Sequence, residues 1–120
     1  MNTDVGMVCD QHGPACQVSL SGRITIDSSP RLLALLLQRL RSPSCQSLSV
    51  DFYEVVYIDT SGVAMLLEIL KAARAQGKTF LLTRLRERPR YLLEATRMLH
   101  LFEDSNQEGP QGSGPSGNSR

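Results

Sequence analysis

Apolar and polar positions follow two different periods along this chain, and the clearest change from one to the other falls at residues 59–62. Leu48, Val50 and Phe52 alternate with Ser49, Asp51 and Tyr53, the period of a β-strand. Val63, Leu66, Leu67 and Leu70 then recur at spacings of three and four, one face of an α-helix. Asp59, Thr60, Ser61 and Gly62 lie between the two patterns. Asp, Thr and Ser are all good helix N-caps, because a side-chain oxygen accepts one of the first unpaired helix N–H groups. A small hydroxyl is thereby presented at the positive end of a helix dipole, where a phosphate is tolerated. Glycine in a first helical turn costs about 1 kcal/mol against alanine, and the bare position at Gly62 predicts close approach by another backbone.

The same reading extends to both sides. Val5 to Cys9 and Cys16 to Leu20 are expected as two short strands, with the turn-forming residues Asp10 to Pro14 as a hairpin loop between them. Ile24 and Ile26 continue an alternation after Gly22. Ser29 before Pro30 predicts a capped helix running to about Arg41, with Leu32, Leu33, Leu36, Leu37 and Leu40 inward and Leu35 exposed as part of a contact surface. The helix after Gly62 is expected to stop at Gly77. Thr79 to Leu85 reads as a strand, and Pro89 as the opening of a last helix with Leu92, Leu93, Thr96, Leu99 and Phe102 inward.

Residues 1–4 are expected to be a flexible N-terminus, 5–103 one domain, and 104–120 a disordered tail rich in Gly, Ser and Pro, with too little apolar surface to offset its ordering entropy. The order β-β-α-β-α-β-α predicts an α/β domain: a small mixed sheet with an N-terminal hairpin, right-handed crossovers and three main helices. Functional sites of such sheets lie beyond the carboxyl ends of the strands, which is where Asp59–Gly62 falls.

Composition narrows the function classes. A chain of 120 residues supports one core. Its net charge of +1 gives no bulk argument for nucleic acid or an anionic membrane, and three Tyr, three Phe and no Trp make no stacking platform for single strands. Cys9, Cys16 and Cys45 form no CxxC pair and read as reduced core thiols, the alternative being a Cys9–Cys16 bridge. The richest apolar run, Leu32 to Leu37, is too short to span a bilayer, and the N-terminus carries no signal-peptide pattern. The expectation is a cytoplasmic protein without direct membrane insertion. His12 and His100 stand apart, which argues against a metal site. No GxSxG elbow, GxGxxG run or Walker-type loop supports an enzyme or a bound cofactor. Arg84, Arg86, Arg88, Arg90 and Arg97 form a basic cluster interleaved with Glu87 and Glu94. It reads as a solvated, salt-bridged face, the alternative being a surface for an acidic partner or a phosphate.

These features together resemble the STAS domain: an opening strand ending in LSG, a helix, an LSVDF strand, the tetrapeptide DTSG, a Leu-rich helix ending in Gly, and a last helix closing with LF. The resemblance covers about Val5 to Glu103, and its most specific element is IDTSGVAMLL, Ile58 to Leu67. It implies an anti-sigma-factor antagonist of bacterial partner switching, not an enzyme, that binds an anti-sigma factor which is itself a GHKL-type serine-threonine kinase. The hydroxyl residue directly after the aspartate, here Thr60, is the implied phosphorylation site, with Ser61 as a minor alternative to a structural hydroxyl. The unmodified form binds and frees the sigma factor, the phosphorylated form does not bind, and a PP2C-type phosphatase resets it.

Asp59 reads as an N-cap, as a carboxylate that orients the acceptor hydroxyl or binds a partner's metal, or as both. The implied partner-binding residues are Tyr57, Asp59, Thr60, Ser61 and Gly62, then Met65, Glu68 and Ala72 on the exposed side of the following helix, and Arg23 and Thr25 at the Gly22–Thr25 edge. Thr25 stands where many antagonists carry an acidic residue, and Asp27 lies two residues on. STAS subunits of ABC-type lipid transporters often carry threonine at the position of Thr60, which implies an alternative role as an accessory subunit docked on an ATPase. A scaffold in a signalling assembly of STAS proteins is the third role the family offers.

Overall fold

The chain first reverses at Gly13 and Pro14, where Gly13 takes a left-handed φ of 62° that a side chain would resist. The computed structural model describes residues 5–102, so the flexible terminus expected at 1–4 and the tail expected at 104–120 lie outside the described residues. Around the turn pair two strands, β1 (Val5–His12) and β2 (Ala15–Ile24), followed by α1 (Ser29–Arg41), β3 (Ser47–Ile58), α2 (Thr60–Ala75), β4 (Thr79–Thr83) and α3 (Glu87–Ala95). The turn is tighter than the five-residue loop expected, because Asp10, Gln11 and His12 stay in antiparallel register with Gln17, Cys16 and Ala15.

The strands lie in the order β1-β2-β3-β4, with β1 antiparallel to β2 and the other two pairings parallel. Each parallel step is bridged by a helix, the βαβ arrangement that strand-helix alternation predicts. Val18 and Leu20, Leu48, Val50 and Phe52, and Phe80 and Leu82 turn inward from three strands. Leu32, Leu36 and Leu40 of α1 belong to the same core, and α1 packs on α2. Phe102, on a further helical turn at residues 99–102, meets Phe80 edge to face at 6.1 Å. The three cysteines are free thiols, Cys16 and Cys45 buried and Cys9 half-buried.

Several boundaries differ from the sequence expectation, each for a local reason. β3 runs on to Ile58 because its register against β2 shifts twice, between Ser19 and Ser21 and between Gly22 and Arg23. Each irregularity resets which side chains face inward, so Phe52 is followed in the core by Val55 and Ile58, a pattern that strict alternation hides. β2 stops at Ile24, and Ile26 stands in the following turn with 66% of its surface exposed. Ser28, not Ser29, is the N-cap residue of α1, and its hydroxyl serves the preceding loop: it accepts from Thr25 N–H at 3.0 Å and donates to Arg23 C=O at 3.1 Å. Leu35 is half-buried rather than exposed, lining a groove between α1 and β1 with Met7. β4 ends at Thr83, and α3 starts at Glu87, so that Pro89 lies in its first turn, where a missing N–H costs nothing.

Candidate functional site

The start of α2 is built around one carboxylate. Asp59 is the N-cap, and its Oδ1 accepts from Ser61 N–H at 3.0 Å and Gly62 N–H at 3.2 Å, filling two of the orphan donors of the first turn. The other oxygen, Oδ2, accepts from Ile26 N–H at 3.2 Å in the β2–α1 loop. The Asp59 N–H donates to Ile24 C=O at 3.1 Å. Asp59 thus ties the ends of β2 and β3, the intervening loop and the helix start into one unit. Burial pushes its carboxyl up, but the bonds donated by the Ser61 hydroxyl and by Gly62, Ile26 and Ser61 N–H outweigh this and hold it below the usual carboxylate range. Of the two roles open to Asp59, the cap is the one that occupies its oxygens.

The two hydroxyl residues that follow are placed very differently. Ser61 donates to Asp59 Oδ1 at 2.5 Å and accepts from the Ser29 hydroxyl at 3.3 Å, so α1 and α2 are joined at their first turns by a Ser29–Ser61–Asp59 chain. Thr60 is exposed, and its hydroxyl has no partner among the described residues. Gly62 is buried, and a Cβ there would lie against Ile58 Cγ1, 2.8 Å from Ile58 Cδ1 and 2.9 Å from Ile24 Cγ2. The close neighbours are side chains at two strand ends, not the backbone that the sequence led one to expect.

The remaining expected residues divide. Tyr57 is half-buried beside Arg23, its register partner on β2, with the Arg23 guanidinium 4.4 Å from the ring centroid. Thr25 is half-buried in the loop, where its hydroxyl accepts from Asp27 N–H at 3.2 Å. Glu68 is exposed two turns along α2 and pairs with Lys71 at 3.8 Å. Met65 is corrected: it is 3% exposed and belongs to the core, as do Val63, Leu66, Ile69, Leu70 and Ala73. α2 packs against α1, β3 and β4, so its buried face is wider than one stripe. Ala72 is half-buried, and the exposed line running from Thr60 is Ala64, Glu68 and Lys71. Ala64 was legible, being four residues from Thr60; exposed Ile26 was not, since the alternation assigned it to a strand. The Arg cluster is salt-bridged in part, through Arg84–Asp51 at 2.6 Å, Arg86–Glu87 at 3.4 Å and Arg90–Glu94 at 3.4 Å.

The site is a capped helix start set beyond the strand ends of a mixed α/β module, holding one hydroxyl out to solvent and a second one in. The chain belongs to the STAS domain family, whose model described as "Mlab, STAS domain" matches residues 7–103. Solved structures agree at the level of the fold. An anti-sigma factor antagonist from Mycobacterium paratuberculosis is similar with a TM-score of 0.74 at 17% identity, over 87% of this chain and 92% of that one. The anti-sigma factor antagonist SpoIIAA in its unphosphorylated form gives 0.71 at 12% identity, over 87% and 96%. The Bacillus cell fate determinant SpoIIAA in the phosphorylated form gives 0.60 at 13%, over 91% of each chain. Among the described residues no helix is long and apolar enough to cross a membrane.

Proposed function

We propose that this protein is a non-enzymatic, cytoplasmic anti-sigma-factor antagonist that binds a GHKL-type anti-sigma kinase through the start of α2 and is switched off by phosphorylation of Thr60. The observation that carries this reading is the contrast between the free, exposed Thr60 hydroxyl and the Ser61 hydroxyl held by Asp59 and Ser29. A kinase can reach the first without disturbing the fold, whereas modifying the second would break the link between the two helix starts. Phosphate on Thr60 would add about −1.5 to −2 charges beside an ionised Asp59. The helix N-terminus tolerates that charge in the free protein, while a partner approaching Ile26, Tyr57 and Ala64 would meet both the charge and the bulk. A PP2C-type phosphatase would restore the binding form.

Incubation with the cognate kinase and ATP should add one phosphate, detected by intact mass, and Thr60→Ala should take up none. A phosphate that survives Thr60→Ala, or none on the wild-type chain, would overturn the reading. A second reading, an accessory subunit docked by the same surface on the ATPase of an ABC-type lipid transporter, is favoured by threonine rather than serine at position 60. Copurification separates the two by recovering either a small ATP-binding kinase or a transporter ATPase.

A further inference from the structure

Four arginines gather over two tyrosines of β3, and they are not equivalent. The Arg84 and Arg86 guanidiniums lie 4.5 and 4.4 Å from the Tyr53 ring centroid, and those of Arg23 and Arg88 lie 4.4 and 5.1 Å from that of Tyr57. Around Tyr53 both charges are answered. Arg84 grips Asp51 with two bonds, at 3.1 and 2.6 Å, and Arg86 pairs with Glu87 while donating to Tyr53 C=O at 3.3 Å. Around Tyr57 neither charge is answered: among the described residues, Arg23 and Arg88 have no carboxylate partner. Reaching this arrangement requires unfavourable backbone, because Arg84 and Glu87, either side of Leu85 and Arg86, take left-handed φ values of 54° and 53° in the turn that carries the chain into α3 and Arg88.

Stacking on the ring orders each guanidinium and leaves its planar N–H edge free to donate. The position is also specific. Arg23 directly precedes Ile24, whose C=O holds the Asp59 N–H, and Tyr57 lies two residues before Asp59. The unanswered pair therefore sits on the rim of the surface proposed to receive the kinase.

We infer that Arg23 and Arg88, held against Tyr57, form a clamp for an acidic segment of the protein that docks at Thr60. This rests on the docking reading and specifies the chemistry of the partner. Charge complementarity selects a carboxylate-bearing polypeptide over a phosphate polymer or a lipid surface. The two guanidiniums on Tyr57 match one or two carboxylates rather than a track of charge. Asp51, Glu54 and Glu87 on this side of the molecule would repel any longer anionic run, a phosphate polymer or an anionic bilayer included, so the segment that fits is a short one.

The test is an NMR titration of the ¹⁵N-labelled full chain with a short end-blocked peptide carrying two adjacent glutamates, following the arginine Nε–H signals and the tyrosine ring protons. Arg23, Arg88 and Tyr57 should shift together and saturably, with the response lost at high salt, while Arg84, held by Asp51, stays in place. Arg23→Gln and Arg88→Gln, each checked for an unchanged amide spectrum, should weaken binding about threefold or more, and the double variant should abolish it, whereas Arg31→Gln should bind as wild type. No shift at Arg23 and Arg88, or equal shifts at Arg84, would overturn the clamp. Tighter binding of inorganic phosphate, a DNA oligonucleotide or phosphatidylglycerol vesicles through the same two residues would also overturn it, in favour of a phosphate site. Because the probe is a peptide, failure here leaves the Thr60 phosphorylation assay to judge the docking reading separately.

Discussion

Gly62→Ala sets two effects of opposite sign against each other. Helix propensity alone favours alanine by about 1 kcal/mol, since Gly62 lies inside the first turn of α2. Packing opposes it. The added methyl would lie against Ile58 Cγ1, 2.8 Å from Ile58 Cδ1 and 2.9 Å from Ile24 Cγ2, where carbon pairs prefer about 3.5–4.0 Å. Neither neighbour can swing aside into solvent, because Ile58 is 3% exposed and Ile24 fully buried. Overpacking of this kind costs about 1–3 kcal/mol, and three contacts on two immobile side chains place the site in the upper part of that range. The balance is a net loss of about 1–2 kcal/mol. For a domain of this size the melting midpoint should fall by about 5–10 °C, read by far-ultraviolet circular dichroism. In an Ile58→Val background, where Cδ1 is gone and Cγ1 remains, the same substitution should cost less, so the double-mutant cycle should show coupling. A Gly62→Ala protein that melts higher than wild type would refute the argument, because propensity would then have won and the α2–strand contact could not be close-packed.

Asp59→Ala removes the cap and orphans N–H groups on both α2 and the β2–α1 loop, so it should cost about 1–2 kcal/mol, while Asp59→Asn, which keeps an acceptor at Oδ1, should cost clearly less; equal losses in chemical denaturation would deny the cap its role. Asp51, hydrogen-bonded by the Arg84 guanidinium, and Asp59 both titrate below the ordinary carboxylate value of about 3.9. A carboxylate with a lowered folded pKa contributes stability that is complete above the unfolded value and lost as pH falls through the folded one. The melting midpoint should therefore drop on acidification below about pH 4, and Asp51→Asn should make that drop shallower; an unchanged acid-side slope would remove Asp51 from the account.

Sequence patterning ran α3 on through Thr96 to Phe102, whereas the helix stops at Ala95 with Thr96 as its C-cap and residues 99–102 form a separate turn. It nonetheless located β1–β4 and α1–α3, because each buries one face against a shared core, and burial is what periodicity records. Leu48, Val50 and Phe52 were legible for that reason. The second half of β3 was not, since two register shifts change which residues face inward and no single period fits both halves. Met65 was misplaced for a related reason: α2 contacts a helix and two strands, and a helix covered on several sides buries residues that a one-stripe reading assigns to solvent. At the site, the DTSG run announced a capped helix with small hydroxyls, but local spacing carries no information about which hydroxyl is held. Ser61 is held by Asp59, two residues before it, whose other oxygen is fixed by Ile26 N–H, and by Ser29, 32 residues away, and neither of those distant contacts is visible in local spacing.

The same long-range bonds bear on how the proposed switch would act. Asp59 fixes the start of α2, the β2–α1 loop and the ends of two strands together, and Ser61 adds α1 to that unit. Thr60 takes no part in it. A phosphate added there removes no hydrogen bond and vacates no core position, so the fold offers it no route to a change of shape. Its effect would be confined to charge and bulk at the surface between Ile26 and Ala64, the one proposed to receive the partner. A switch built this way leaves the free protein equally folded in both states and places the whole discrimination in the complex.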